Sequence, residues 1–541
     1  MLSETALAEE QQAEPRRWLV LAVMCLSLLL IVMDTTVLNV ALPSLQADLG
    51  ASTSQLQWIV DAYILVLAGL LLTMGSLGDR FGRQGALATG LVIMGVASIL
   101  SAFATSADQL VATRAVTGVG GALIMPATLS IITNVFADAK ERAQAIAIWT
   151  ATAGAAVAIG PIVGGWLLDN CWWGSVFLIN VPVVAIALVF GRTFVPTSRD
   201  PSTPPIDVPG ALLSIGGLVS LLWAIIEGPG GWTDPEILGA FAVAAVLLAA
   251  FVTWERRTRS PMLDMSFFRN PRFSAASVAI MLTFFAMLGT LFLLTQFLQS
   301  VQGYTALETG VRLLPMAGVQ VVIAPFSARL VEYFGSKVVV GGGLLVAAVG
   351  LVMASRITAG ASYTDVVWSL VVLAAGLALV MPPITESIMG SLPPAKAGVG
   401  SAVNDATREV GSALGVAVLG SVVSSTYRPR VTDAIRGVPL PEEAVHAIPE
   451  HVGAAMGAAA VLGGEPGRML VGTASDAFAD GMSTGFLVGA AAMALGAVIV
   501  ALFLPARTRD EEVEGVEGHG DTGGGGSAAG SGRPDRTPVA P

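Results

Sequence analysis

Asp34, Asp61, Arg114, Asp405 and Glu409 are ionisable side chains set inside long apolar runs. A charge at the centre of a membrane-length helix costs roughly 2.5–3.5 kcal/mol on insertion scales, so such residues are rare and usually face a wet cavity or a partner. A carboxylate in that position is neutral when protonated and attracts a cation when not, which is the chemistry of proton coupling. At 1.5 Å per helical residue, Asp34, Asp61 and Arg114 share a level about 10 Å below one end of their helices. Snorkelling towards the interface is the plainer reading for Asp61 and Arg114, and it accounts poorly for Asp34. Asp405, Arg408 and Glu409 stand at i, i+3 and i+4 on one helix face, where a self-neutralising structural triad is the plainer reading. Glu227 and Glu386 fall nearer helix ends, which favours interface placement.

Other chemistries lack their residues. His446, His451 and His519 all lie outside the apolar runs, which excludes a histidine relay within a membrane. There is no G-x-x-x-x-G-K-[ST] loop for ATP, no Cys/His cluster for a metal and no plausible Ser/His/Asp constellation. The expectation is a protein without enzymatic activity, bound cofactor or nucleic-acid partner. Cys25 lies in an apolar run and Cys171 in a loop, so no disulfide between them is expected.

The elements that must position these residues follow from composition. The chain has 541 residues, 54% hydrophobic and 12% charged, with mean hydropathy +0.74. Those values are far from an ordinary soluble domain. Apolar runs of about 20 residues can each cross a hydrocarbon core about 30 Å thick. Fourteen helical spans are expected, at 18–42, 54–74, 84–104, 109–135, 142–167, 175–195, 209–228, 236–254, 273–299, 310–331, 337–356, 365–390, 397–425 and 481–504. Arg16, Arg17, Arg80, Arg83, Lys140, Arg142, Arg192, Arg199, Arg256, Arg257, Arg259, Arg269, Arg272, Lys396, Arg507 and Arg509 fall on one side, with Arg312 and Arg356, near outer ends, as minor exceptions. The loops opposite, 43–53, 105–108, 168–174, 229–235 and 300–309, carry no Lys or Arg. By the positive-inside rule both termini are cytoplasmic.

The expected organisation is a cytoplasmic tail (1–17), a six-helix bundle (18–195), a linker with two inserted helices (196–254), a basic cytoplasmic loop (255–272) and a second six-helix bundle (273–504). The second bundle is expected to include a partly ordered external loop at 426–480, and an acidic, Gly/Ser-rich tail (505–541) is expected to be disordered. An internal echo supports two halves: "GSLGDRFGRQ" (75–84) and "ARLVEYFGSK" (328–337) align on Gly82 and Gly335, with Asp79 matching Glu332. In the first, Gly75, Gly78 and Gly82 permit a tight reversal, and Asp79, Arg80 and Arg83 can bond to neighbouring helix ends as a breakable latch. The plainer reading is a basic loop with turn glycines.

The motif G-x-L-x-D-R-x-G-R in residues 75–83 resembles the signature loop of the major facilitator superfamily. "MDTTVLNVALP" (33–43) resembles the first helix of its fourteen-helix drug:proton antiporters, the EmrB/QacA type. "RAVTGVGGALIMP" (114–126), "AIGPIVGGWL" (158–167), "FLINVP" (177–182), "IIEGPGGW" (225–232), "GVRLLPMA" (310–317) and "AGVGSAVNDATREVGSALGVAVLGS" (397–421) extend the likeness over residues 16 to 504. The resemblance implies an all-α membrane protein of two six-helix bundles plus two inserted helices. It also makes Gly160, Pro161, Gly164 and Gly165 the antiporter motif, a close-packed bend beside the pathway, for which ordinary helix packing is the plainer reading. Two departures stand out. Gly174 occupies the place of an arginine usual in the family, and Tyr333 and Ser336 replace both arginines of the second signature loop.

The function so implied is proton-coupled antiport that exports amphipathic, often cationic compounds from a bacterial cytoplasmic membrane by alternating access. The partners are lipid bilayer, small-molecule substrates and protons. A narrow exporter of an endogenous antibiotic or metabolite is the first alternative, and a non-transporting membrane enzyme or receptor the second. Neither the substrate nor the oligomeric state can be read from these motifs.

Overall fold

In a computed structural model, which describes residues 4–49, 51, 53–199, 207–258, 261–436, 438, 440–449 and 451–505, the chain is built from helices. The expected tail at 505–541 lies almost wholly outside the described residues. The first half comprises α1 (Glu4–Leu49), α2 (Thr53–Phe81), α3 (Arg83–Ala102), α4 (Ala107–Val135), α5 (Ala139–Asn170), the single turn α6 (Ser175–Leu178) and α7 (Asn180–Phe194). Two inserted helices follow, α8 (Val208–Glu227) and α9 (Pro235–Glu255). The second half holds α10 (Pro271–Gln296), α11 (Ala306–Phe334), α12 (Ser336–Ala354), α13 (Tyr363–Met389), α14 (Ala397–Ala434), α15 (Glu442–Ala447), α16 (Val452–Leu462) and α17 (Gly464–Phe503). Fourteen of the described segments are long and apolar enough to cross a membrane.

The helices start where the sequence supplies an acceptor for their first free N–H groups. Asp138 accepts from the amides of Lys140 and Glu141 at α5, and Asp207 from Gly210 at α8. Thr305 and Glu308 form a reciprocal capping box at α11. Gly82 (φ 113°) and Gly335 (φ 78°) make the reversals after α2 and α11 in backbone space that residues with a Cβ rarely adopt, so the echo between the two loops is a likeness of geometry.

Packing repeats as the loops do. In the first half α4 packs on α2 and α3, α5 on α1, and α7 on α1 and α3; in the second, α13 packs on α11 and α12, α14 on α10, and α17 on α10 and α12. The halves meet along α5 with α11 and α2 with α14, the same pair of equivalents taken in both directions. The inserted helix α8 lies against α2 and α14, and α9 packs chiefly on α8. One end of the bundle carries the α2–α3 and α4–α5 connections and residues 394–398, and is called the latch end below.

The segment 426–480 differs from its expectation. α14 runs on to Ala434, α15 and α16 follow, and α17 begins at Gly464, some five turns before the expected 481. Ala and Gly with Glu465, Asp476 and Asp480 dilute the hydropathy there, yet alanine is the strongest helix former and tertiary packing on α16 supports the extension.

Candidate functional site

Asp34, on α1, is buried with its carboxylate fully engaged. Nη1 of Arg114, from α4, donates to Oδ2 at 2.6 Å, and Nδ2 of Asn180, from α7, donates to Oδ1 at 2.6 Å. Asn180 also reaches Oγ of Ser98 on α3 at 3.2 Å. The guanidinium is held by Nε donating to the Ile59 carbonyl at 3.3 Å and lies 4.6 Å over the Tyr63 ring, both from α2. Five helices therefore converge on one ion pair, and a buried pair is tolerated only with such support. Two polar atoms around it have no bond among the described residues: Nη2 of Arg114 and Oδ1 of Asn180. They form a ready set of partners for a proton, water or substrate group.

Asp61 does not join this cluster, although it shares its level by sequence. It is half-buried on α2, bonded to Gln57, and its electrostatic neighbour is Glu227 at the end of inserted helix α8. Equal depth is not equal azimuth: Ile59 and Tyr63, two residues either side, face Arg114, which turns Asp61 towards α8.

On α14, Asp405 and Arg408 are buried and Glu409 is half-buried. Asp405 accepts from Nδ2 of Asn404 at 3.1 Å and Oγ of Ser401 at 3.4 Å, and Arg408 approaches it at 3.9 Å. Arg408 gives its stronger contacts elsewhere, donating to Oγ1 of Thr385 at 3.1 Å and lying about 5 Å over the rings of Phe284 (5.0 Å) and Trp149 (5.3 Å). Trp149 belongs to α5, so this cation–π contact spans the two halves. Glu409 acts electrostatically with both Asp405 and Arg408. It also acts on Tyr63, the residue beneath the Arg114 guanidinium, and so stands across from the Asp34 cluster.

The latch is a bonded unit. Asp79 Oδ1 accepts from Arg83 at 2.6 and 2.8 Å and from the Gly398 amide at 2.9 Å, and Oδ2 accepts from the Val399 amide at 3.1 Å. Arg83 also donates to the Pro394 carbonyl at 2.8 Å and that of Ala395 at 3.2 Å. A carboxylate thus sits on the N-terminus of α14, where free amides and the helix dipole favour an anion. Gly75 permits the approach, since a Cβ there would lie 2.6 Å from the Gly398 carbonyl. Arg80 turns to the rim, 5.3 Å over the exposed Phe81 ring. Two more ion pairs bridge the halves at this end. Arg142 grips Glu386 through three bonds of 2.7 to 3.1 Å, and the exposed Lys140 meets Glu332 at 3.0 Å. Glu332, flanked by Tyr333 and Ser336 in place of arginines, pairs with Lys140 of the other half; the second signature loop is a surface tether, while the first is buried.

In α5, Gly160 and Gly164 face α1: a Cβ at Gly160 would fall 1.9 Å from Oγ1 of Thr36, and one at Gly164 3.1 Å from Val37. Pro161 and Gly165 face α11, at Gly310 and Leu307. The motif is thus divided between a helix of its own half and one of the other, and α5 passes through Pro161 as one uninterrupted helix. Gly174 also has a physical reason. An added Cβ would lie 2.3 Å from the Ala102 carbonyl, leaving no space for the arginine usual in the family.

The residues missed from sequence are Asn180, Tyr63, Trp149, Thr385 and, as a gate, Arg142. Asn180 carried a signal, a lone amide in the apolar run "FLINVP"; the others differ little from packing or loop residues. Both cysteines are free.

Two bundles related by an internal repeat, with buried charge between them and a breakable latch at one end, define a secondary transporter. The chain belongs to the Major Facilitator Superfamily, whose family model matches residues 24–416. It is 38% identical to the multidrug efflux pump LfrA of Mycolicibacterium smegmatis, over 90% of this chain and 96% of that one. It is 35% identical to the tetracenomycin C resistance and export protein of Streptomyces glaucescens, over 92% and 93%. The proton:xylose symporter XylE has the same fold, with a TM-score of 0.58 at 15% identity, over 93% of this chain and 99% of that one.

Proposed function

We propose that the protein is a proton-driven exporter of amphipathic, often cationic compounds, set in a bacterial cytoplasmic membrane with the latch end and both termini inside. The observation that carries this reading is the buried Asp34–Arg114 pair with Asn180, standing across from Glu409 on the other half. Protonation of Asp34 would cancel its bond to Arg114 and free the guanidinium for its carbonyl and aromatic partners. Loss of the proton would restore the pair. One ionisation thereby changes how α1, α4 and α7 are held together. A cationic substrate between the halves would meet Glu409 and Asp61, and its departure would leave Asp34 to reload.

The driving force suffices. A proton moving down about 150 mV releases about 3.5 kcal/mol, enough for a gradient of a few hundredfold. The test uses purified protein in liposomes, where a cationic drug should elicit proton release and an imposed proton gradient should drive drug accumulation. Drug uptake that ignores the proton gradient would refute the coupling. Similarity to a tetracenomycin C exporter supports a second reading, a narrow range of substrates. A drug-susceptibility panel in a pump-deficient bacterium expressing this chain separates broad from narrow export.

A further inference from the structure

Far from the paired clusters, the inserted hairpin is closed at the latch end by two acids. Asp207 caps α8 and Glu255 ends α9. Glu255 is only 3% exposed. Its Oε2 accepts from the Leu263 amide at 3.2 Å, in the connection that leads to α10. Its Oε1 has no donor among the described residues. That oxygen and Oδ2 of Asp207 point at the same spot: a Cβ on Gly210 would lie 2.6 Å from the first and 2.5 Å from the second. The two carboxyl groups act on each other electrostatically, and two carboxyl oxygens that face one spot can bond to each other only if one carries the hydrogen.

We infer that one proton is shared between Glu255 and Asp207, so that the α8–α9 hairpin closes with a proton-dependent clasp. The fold assigns the proton to one side. Asp207 accepts from the Gly210 amide at 2.9 Å and from Nε1 of Trp254 at 2.8 and 3.1 Å, at a helix N-terminus that favours an anion. Glu255 is at a helix C-terminus, which disfavours one. Glu255 is therefore the donor, through an Oε1–H to Oδ2 of Asp207. Among the described residues the charged neighbours do not replace the proton. Arg256 and Arg257 are exposed, Asp264 caps Ser266, Arg269 is exposed, and on α2 Asp79 is taken by Arg83. Asp207 is the charged side chain that acts on Glu255. Because α8 packs on α2 and α14, the helices joined by the latch, the clasp steadies the hairpin beside them. The clasp does not depend on what the protein carries.

The test is hydrogen exchange on the full-length protein in lipid nanodiscs, followed at the first-turn amides of α8 and at Leu263, and expressed as protection to remove the intrinsic pH effect. Protection in the wild type should fall by up to about tenfold per pH unit from about pH 4.3, the ordinary glutamate value, up to the pH at which the closed clasp gives up its proton, and level off above that. Glu255→Gln supplies an amide N–H in place of the proton, and should hold the low-pH protection across the range. Asp207→Asn keeps a good helix cap and donates to an ionised Glu255, so it too should abolish the pH dependence. If either variant should not fold, the other still decides. Wild-type protection that is flat with pH, or equal pH dependence in wild type and variants, would overturn the inference. So would protection that follows added Mg²⁺ or Na⁺ at constant pH, since a metal would then sit between the acids.

Discussion

At Asp34 a single carboxylate serves two donors, and the two make separable predictions. Asp34→Asn keeps size but leaves the Arg114 guanidinium buried without its counter-charge, which costs about 3–5 kcal/mol. The variant should insert, melt at a lower temperature and lose proton-coupled export. Adding Arg114→Gln removes the stranded charge, so the double variant should regain most of the stability and none of the coupling. Recovered export in the double variant would remove Asp34 from the mechanism. Gly174→Arg, the change towards the common family pattern, should fail for a steric reason: its Cβ meets the Ala102 carbonyl, and overpacking costs about 1–3 kcal/mol. A melting temperature unchanged from wild type would contradict that geometry. At this scale the type and depth of Asp34 and Arg114 were legible, because charge in an apolar run is conspicuous. Asn180 and the diversion of Asp61 to Glu227 were not, because the order of helices in sequence does not say which faces meet.

Among elements, the latch joins α2 and α3 to the start of α14, and the Arg142–Glu386 pair joins α5 to α13. Both must break for the halves to part at that end. Asp79→Asn and Arg83→Ala should therefore slow turnover while leaving the equilibrium affinity for drug, measured in detergent, nearly as it was. A matching loss of affinity would make the latch part of the binding site. Gly75→Ala should act in the same direction by pushing α2 off α14, and a cysteine placed near residue 398 should then label faster with a soluble maleimide. The helices themselves were legible in fourteen apolar runs. The stretch from 426 to 480 was not, since a helix rich in Ala and Gly with scattered acids has the composition of a loop and is held by its neighbours.

For the whole molecule, the repeat of packing between the halves was announced by one weak echo on Gly82 and Gly335, too little to show that α5 would meet α11 as α2 meets α14. Orientation is open to direct test. Reporter fusions after residue 504 should give cytoplasmic signal and fusions in the α15–α16 region external signal; the reverse would turn the proposed exporter inside out. The latch has a further consequence for how the protein can change over generations. Two of the acceptances by Asp79 come from main-chain N–H groups, those of Gly398 and Val399. A replaced side chain at 399 leaves the N–H where it was, so half of the closure is sheltered from ordinary mutation. Proline, which has no N–H to give, is the substitution that drift cannot absorb there. The vulnerability is concentrated on that carboxylate and on Gly398, where a Cβ would lie 2.5 Å from Asp79 Oδ1, while lineages of such a pump are free to vary the side chain at 399.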